Sequence, residues 1–227
     1  HPQHVQSSWV FVEARAGVAD ESRPRLRGKK GRIERVVKRF SQRDEIELMY
    51  EDESWFSRYA MPRLRSHGPR GERTRIPKRE APKSQPQKAV AVYGALTIPE
   101  KHICIQCVDE QPRSETTWNF LGSLVDYARR NHRRWLVVIW DNAGFHKSKR
   151  LMEWIRRHNR AQSDRSDGVR IVPYRLPTRS PWLNPIEPHW LHCKRAVYSV
   201  VTTPTPEQLK RSVCQYFEPK RPTGFQA

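Results

Sequence analysis

The sequence predicts an α/β fold, and three features of its hydrophobic pattern indicate it. Alternating apolar runs typical of paired strands come first in the chain. A short, wholly apolar run with β-branched residues follows, as expected of a strand covered on both faces. Segments with helical periodicity separate this run from the strands on either side. This order favours a sheet whose first strands pair antiparallel and whose later strands pair in parallel. The predicted strands are 45–56, 89–98, 102–108, 135–140 and 169–176, and the predicted helices are 116–131, 148–159, one from Pro185 and one from 205 to 217.

The three N-terminal strands are predicted from alternation and from their boundaries. Residues 45–56 alternate, turn acidic and then become apolar, which predicts a strand that ends in an acidic cluster. Residues 89–98 are apolar, and 102–108 alternate as the hairpin partner would. The Pro-rich segment 60–88 between them is predicted to be a loop or ragged hairpin, with a short strand at 73–76.

The helices are predicted from apolar spacing and from their end residues. Apolar side chains recur at helical spacing over 116–131 and again over 148–159. Pro185 is suited to a first helical turn, and Asn184 beside it would shape the turn before that helix. For the last helix, Thr205 can cap the N-terminus and Gln208 can complete a capping box. The residues after Tyr216 are polar and are expected to form no element.

The chain is strongly basic. It has 43 Lys and Arg against 24 Asp and Glu in 227 residues, a formal net charge of +19. Such a surplus predicts a polyanionic partner. The densest basic block, 23–43, has Ile33, Val36, Val37 and Phe40 at helical spacing, which predicts an amphipathic helix with a basic outer face. That face either contacts phosphates or is simply solvated.

The apolar and cysteine content excludes two classes of protein. No run approaches 18 consecutive apolar residues, so no membrane span is predicted. Four Cys are too few for a disulfide scaffold, and a reducing, cytoplasmic compartment is expected. Cys104 and Cys107 form a C-x-x-C pair, but a strand would direct them to opposite faces, which disfavours a zinc or redox site.

Three acidic residues lie where a metal site would form in such a fold. Asp52 is predicted at the end of the first strand, Asp141 directly follows the strand 135–140, and Glu187 falls in the first turn of the helix from Pro185. Ligands collect at the carboxyl ends of strands in open α/β sheets, and carboxylates suit Mg²⁺ or Mn²⁺. From spacing alone, structural roles are also open: a surface turn for Asp52, a helix cap for Asp141 and a dipole contact for Glu187.

The residues around these acids resemble a known family. They are DNAGFHKS at 141–148, LPTRSPWLNPIEPHW at 176–190, YEDES at 50–54 and AVYGA at 91–95. These runs are similar, in order, to the motifs of mariner-related bacterial transposases of the insertion-sequence 630 family. That resemblance covers about residues 45–200 and implies a ribonuclease H-like catalytic domain with a mixed central sheet flanked by helices.

The resemblance also implies a reaction and a site. Asp52, Asp141 and Glu187 would be the metal-binding triad, with two Mg²⁺ or Mn²⁺ ions. The family cleaves double-stranded DNA at transposon ends and then transfers the freed 3′-hydroxyl to target DNA, usually as a dimer. His146 would position a phosphate or water, and Asn142 would hold Asp141 or cap a helix. The candidate DNA contacts are Arg32, Lys38, Arg39, Arg73, Arg75, Lys194 and Arg195.

The sequence departs from the family pattern in three respects. The spacing between Asp141 and Glu187 is longer than in typical mariner relatives, no helix-turn-helix is predicted before residue 45, and the segment after Tyr216 ends in polar residues without a predicted element. The expected organisation is a basic N-terminal segment at 1–44, the remnant or linker of a DNA-binding region, a catalytic domain at 45–200 and a C-terminal helix and tail at 201–227. Two alternatives stay open: a catalytically silent DNA-binding relative, and another ribonuclease H-like nuclease.

Overall fold

The fold comes from a computed structural model of the chain, which describes residues 23–60, 88–178, 180–198 and 203–225. Five strands of these residues form one sheet, namely β1 Ile46–Ser57, β2 Ala89–Ile98, β3 Ile103–Val108, β4 Trp135–Trp140 and β5 Arg170–Arg175. Their order in the sheet is β3-β2-β1-β4-β5. The first three strands pair antiparallel, and β1, β4 and β5 pair in parallel. The predicted antiparallel beginning and parallel continuation are therefore confirmed.

Within the described residues, five α-helices accompany the sheet, namely α1 Arg23–Phe40, α2 Ser114–Arg130, α3 Lys149–Gln162, α4 Glu187–Val197 and α5 Pro206–Phe217. Side chains cap the N-termini of α3 and α5. Ser148 accepts a hydrogen bond from the backbone N–H of Leu151 at the start of α3. Thr205 and Gln208 form the predicted capping box of α5. In the described ranges no helix is long and apolar enough to cross a membrane.

Hydrophobic clusters cover both faces of the sheet. Tyr50 and Phe56 of β1 belong to one cluster, to which α1, α4 and α5 contribute. Met49 belongs to the other cluster, to which α2 and α3 contribute. Because side chains alternate along a strand, Asp52 belongs to the α4 face, whereas Glu51 and Glu53 belong to the α3 face. The three consecutive acids of β1 are thus divided between two environments.

The first strand covers almost the predicted range 45–56, but the prediction that Asp52 lies at its end is wrong. It does not end in its acidic cluster but continues to Ser57, so Asp52 lies within the strand. The parallel pairing with β4 stops at Tyr50 and Ile139, whereas the antiparallel pairing with β2 continues to Ser57 and Ala89. The neighbour β2 therefore sets the end of β1. The strand predicted at 73–76 lies outside the described residues.

The C-terminal tail is more ordered than its composition indicates. A short 3₁₀ helix, Glu218–Lys220, follows α5, so the expectation that no element forms after Tyr216 is wrong. Phe225 is buried and packs edge-on against Tyr127 of α2, with 6.2 Å between the ring centroids. One aromatic contact to a distant helix therefore holds a segment that has no periodicity of its own.

Candidate active site

Two predicted site carboxylates lie on adjacent parallel strands. Tyr50 and Ile139 are the last paired residues of β1 and β4, so Asp52 and Asp141 each lie two residues beyond that pair. They are therefore at the same level of neighbouring strands, which are about 4.8 Å apart. Glu187 is the first residue of α4. The three predicted acids reach one edge of the sheet from β1, from the end of β4 and from a helix N-terminus.

Asp52 is held by α4. Trp190, one turn after Glu187, donates a hydrogen bond from its indole Nε1 to Asp52 Oδ2 at 3.0 Å. Burial raises the pKa of Asp52 to about 7, and the negative charge of Glu187 adds to this, while the hydrogen bond from Trp190 opposes it. The carboxylates of Asp52 and Glu187 thus repel each other in a partly buried site. A cation between them would remove that repulsion.

A glycine makes room for the tryptophan. Gly94 of β2 lies opposite Asp52 in the antiparallel register. A Cβ atom at this position would lie 2.5 Å from Cη2 and 2.6 Å from Cζ2 of Trp190, closer than side-chain carbons approach. The indole of Trp190 therefore rests directly on the backbone of Gly94, and this contact positions its Nε1 beside Asp52.

Asn184 fixes the turn that presents Glu187, as predicted. Its side-chain Nδ2 donates to the carbonyl oxygen of Glu51 at 3.3 Å. Its Oδ1 accepts from the backbone N–H of Ile186 at 3.4 Å. The side chain is buried. A single amide thus joins the start of α4 to the backbone of β1 next to Asp52.

Asp141 has a different environment from Asp52. Its Oδ1 accepts from the backbone N–H of Ala143 at 2.7 Å and lies 2.9 Å from His146 Nδ1, and its side chain is half exposed. The hydrogen bond with His146 lowers the pKa of Asp141.

Asn142 has neither of its predicted contacts. Its Nδ2 donates to the carbonyl oxygen of Leu176 at 2.6 Å, which joins the ends of β4 and β5, and Ser148 caps α3 instead.

His146 lies on the α3 face and meets two acids that the sequence reasoning missed. Its ring stacks on Trp140, with 4.6 Å between centroids and 5° between planes. Its Nε2 lies 3.1 Å from Glu53 Oε1 and 3.2 Å from Glu51 Oε2. Burial lowers the pKa of His146, but the negative charge of Glu51 and the hydrogen bond with Asp141 outweigh this effect and raise it to about 12.

The pKa values of Glu51 and Glu53 are also shifted from their usual range. Burial raises the pKa of both carboxyl groups, that of Glu53 to about 8 with a contribution from the charge of Glu51. In the described part of the chain, the potential ligand atoms of Glu51, Glu53 and His146 all lie within 4.8 Å of one another. The predicted triad does not form so tight a group among these residues. Strand alternation was the available signal, because it places positions 51 and 53 on one face.

The predicted DNA contacts occupy separate places. Arg32, Lys38 and Arg39 lie on α1 and are exposed. Lys194 lies on α4 near the site. Burial lowers its pKa, and the negative charges of Glu187 and Asp52 offset this only in part. Arg195 beside it is exposed. The other two candidates, at positions 73 and 75, lie outside the described residues.

Comparisons with known proteins identify a family and a similar fold. Residues 47–210 match the family described as DDE superfamily endonuclease. The structure of the Mos1 strand transfer complex is similar, with a TM-score of 0.57 and 15% identity over 93% of this chain and 59% of that chain. The catalytic domain of Mos1 mariner transposase gives 0.53 and 13% over 88% and 84%.

The likeness to the Mos1 structures extends to the sheet and its helices, and it confirms the predicted ribonuclease H-like fold. The chain spans about three fifths of the Mos1 chain in the strand transfer complex. A search of curated proteins finds no match. The family match covers well over half of the sequence and includes Asp52, Asp141 and Glu187. The chain therefore belongs to the DDE superfamily endonuclease family.

Proposed function

We propose that this chain is the catalytic domain of a DDE transposase, which cleaves DNA at transposon ends and transfers the freed strand to target DNA. The observation that carries the proposal is the approach of Asp52, Asp141 and Glu187 to one edge of the sheet from β1, β4 and α4. The similar Mos1 structures are described as a strand transfer complex and as paired-end complexes with Mn and Mg.

The chemistry of the donor set fits Mg²⁺ or Mn²⁺. Asp52 and Glu187 offer carboxylate oxygens that repel each other, which the raised pKa of Asp52 reflects. Hard divalent cations prefer such oxygen ligands. With Asp141 these residues would hold two ions, which would activate the attacking oxygen and stabilise the leaving oxygen at phosphorus. No Ser, Cys or Lys nucleophile is needed for this reaction.

The remaining residues of the site have positioning roles in this proposal. Trp190 keeps Asp52 Oδ2 directed toward α4, and Asn184 keeps Glu187 close to β1. Lys194 brings a positive charge near the same carboxylates, where a DNA phosphate would approach. The exposed bases of α1 extend the basic surface. The DNA substrate would be double-stranded transposon ends and target, and a homodimer would pair the two ends.

Metal-dependent nicking tests the proposal. The full chain with Mn²⁺ is incubated with supercoiled DNA that carries the ends of its own element, and nicked and linear products are measured. Asp141→Asn and Glu187→Gln should each reduce cleavage by at least about a hundredfold, because charge stabilisation by a bound metal contributes several kcal/mol. Asp126→Asn, a matched change at an exposed site on α2, should leave cleavage unchanged.

Three outcomes would contradict the proposal. DNA binding without cleavage at any Mn²⁺ concentration would identify a catalytically silent relative. Cleavage of RNA–DNA hybrids, with duplex ends left intact, would identify a different nuclease. Cleavage that survives in Asp141→Asn would show that the triad is not the reaction centre.

A further inference from the structure

A cluster on the α3 face of β1 is separate from the carboxylates at the α4 face. Glu51 is fully buried, and its Oε1 has no hydrogen-bond partner. Its other oxygen, Oε2, lies 3.2 Å from His146 Nε2, and Glu53 Oε1 lies 3.1 Å from the same nitrogen. A buried carboxylate oxygen without a hydrogen-bond partner is costly, so this arrangement calls for a ligand.

The distances within the cluster suit ligands of one metal ion. Imidazole nitrogen and carboxylate oxygen bind Zn²⁺ at about 2.0–2.2 Å. Two ligands at about 2.1 Å lie about 3.4 Å apart in tetrahedral geometry and about 3.0 Å apart at adjacent octahedral positions. The separations of 3.1 and 3.2 Å from His146 Nε2 fall between these values. Both carboxylates thus lie at a suitable distance from His146 Nε2, and the ligand atoms of all three side chains lie within 4.8 Å of one another.

The second nitrogen of His146 is fixed as it would be in a metal site. Nδ1 lies 2.9 Å from Asp141 Oδ1, and the ring stacks on Trp140. Metal-binding histidines commonly donate their other ring N–H to a carboxylate, which sets the tautomer and the ring orientation. Once a metal ion replaces the proton on Nε2, the lone pair of that nitrogen would face Glu51 and Glu53.

Charge favours a divalent ion in the same place. Two carboxylates, Glu51 and Glu53, surround one imidazole, so a protonated His146 can compensate only one negative charge, and burial of the other is unfavourable. A divalent ion would neutralise both carboxylates and would leave His146 neutral. The imidazole nitrogen selects against Mg²⁺, which prefers oxygen ligands, and favours transition metals.

We propose that Glu51, Glu53 and His146 form a metal site distinct from the DDE carboxylates, and that it binds a divalent transition-metal ion such as Zn²⁺. The site joins β1 to the 3₁₀ turn Phe145–Lys147, which follows β4. Through His146 Nδ1, the bound ion would also hold Asp141 in place. Glu51 and His146 are buried and Glu53 is partly buried, so the ion would lie inside the fold, where its role would be to hold β1 to this turn.

Zinc content tests the site without any measurement of cleavage. The full chain and its variants are incubated with Zn²⁺, separated from free metal and analysed for zinc. The Asp52→Asn/Glu187→Gln variant, which lacks two DDE carboxylates, should retain about one zinc per chain. Glu51→Gln/Glu53→Gln should lose it. Glu47→Gln is the matched control, since Glu47 is a buried acid on the same face of β1 whose partner is Arg133, and it should retain zinc.

Thermal unfolding supplies a second readout. Zn²⁺ at about a hundred times its Kd should raise the Tm of the full chain by about 5–10 °C. The rise should vanish in Glu51→Gln/Glu53→Gln. If this double variant does not fold, the single variant Glu51→Gln replaces it, and its zinc affinity should fall at least tenfold.

Two results would overturn the proposal. Equal zinc content in the full chain and in Glu51→Gln/Glu53→Gln would place the metal on other His or Cys residues. Loss of zinc from Asp52→Asn/Glu187→Gln would assign it to the DDE carboxylates. Because neither result involves DNA, failure of this site leaves the nicking assay, and with it the proposed function, to be judged separately.

Discussion

Trp190 donates its indole N–H to Asp52 across the boundary between α4 and β1, at 3.0 Å. The donor lies one turn after Glu187 on the same helix, so the element that presents one acid also orients another. Trp190 is buried against Phe217 of α5, with 5.6 Å between the ring centroids. The position of the Asp52 carboxylate therefore depends on how two helices pack.

Loss of the indole donor should weaken the site without removing the ring. Trp190→Phe eliminates the hydrogen bond that lowers the pKa of Asp52, so this pKa should rise further. Hydrogen bonds to charged groups contribute about 1.5–3 kcal/mol, and we expect Mn²⁺-dependent nicking at neutral pH to fall about tenfold. The rate should recover as the pH is raised. A pH–rate profile measures this, with Trp118→Phe on α2 as the control; equal profiles for both variants would contradict the role of Trp190.

Gly94 should be intolerant of even one methyl group. The Cβ of Gly94→Ala would lie 2.5 Å from Cη2 of Trp190, so the indole has to move away from Asp52. We expect a loss of about 1–3 kcal/mol in the free energy of unfolding, together with reduced nicking. Gly122→Ala on α2 has no neighbour within 4 Å and should instead stabilise the protein by about 0.5–1 kcal/mol. Urea unfolding of both variants tests the contrast, and effects of the same sign would refute it.

Most of the fold could be predicted from the sequence because its elements have strong periodicity. The run at β4 is wholly apolar, and α5 has a complete capping box, so both follow from local pattern. The position of Asp52 within β1 could not be predicted in the same way. The acidic residues resemble a strand terminus, but pairing with Ala89 and Val90 of β2 continues the strand past them to Ser57. Pairing with a distant neighbour leaves no signal in the strand itself.

The site was predictable only in part for a similar reason. Alternation places Glu51 and Glu53 on one face, but it does not reveal which distant side chain covers them. The 3₁₀ turn Phe145–Lys147 brings His146 to that face, where stacking on Trp140 holds it. Contacts of this kind depend on tertiary packing, and therefore Glu51 and Glu53 were missed although His146 was identified.

Stability of the metal-free protein should depend on the ionisation of Asp52. Its pKa is about 4 in the unfolded chain and about 7 in the folded one, so folding favours the protonated form. The free energy of unfolding should therefore fall as the pH rises from about 4 to 7, by up to about 1.4 kcal/mol per unit. Asp52→Asn should remove this part of the dependence and be more stable than the original chain at pH 8.

A divalent metal ion should change the same dependence of stability on the ionisation of Asp52. If Mg²⁺ or Mn²⁺ binds ionised Asp52 and Glu187, it should restore stability at pH 8 in the original chain and have little effect on Asp52→Asn. Thermal unfolding from pH 4 to 8, with and without Mn²⁺, measures both effects. Identical pH profiles for the original chain and Asp52→Asn would show that burial of this carboxylate is not costly.

The basic face of α1 should contribute phosphate contacts that salt can reveal. Each phosphate contact changes the slope of log K against log salt concentration by about 0.9. Arg32→Gln/Lys38→Gln should therefore reduce the slope for duplex DNA by about 2, with similar loss for all sequences. Arg156→Gln/Arg160→Gln removes the same charge from the exposed surface of α3, on the other face of the sheet, and should change the slope less. Filter binding of duplex DNA to both double variants, from low to moderate salt, measures the two slopes. Equal changes in both variants would mean that net charge, rather than α1, brings DNA to the protein.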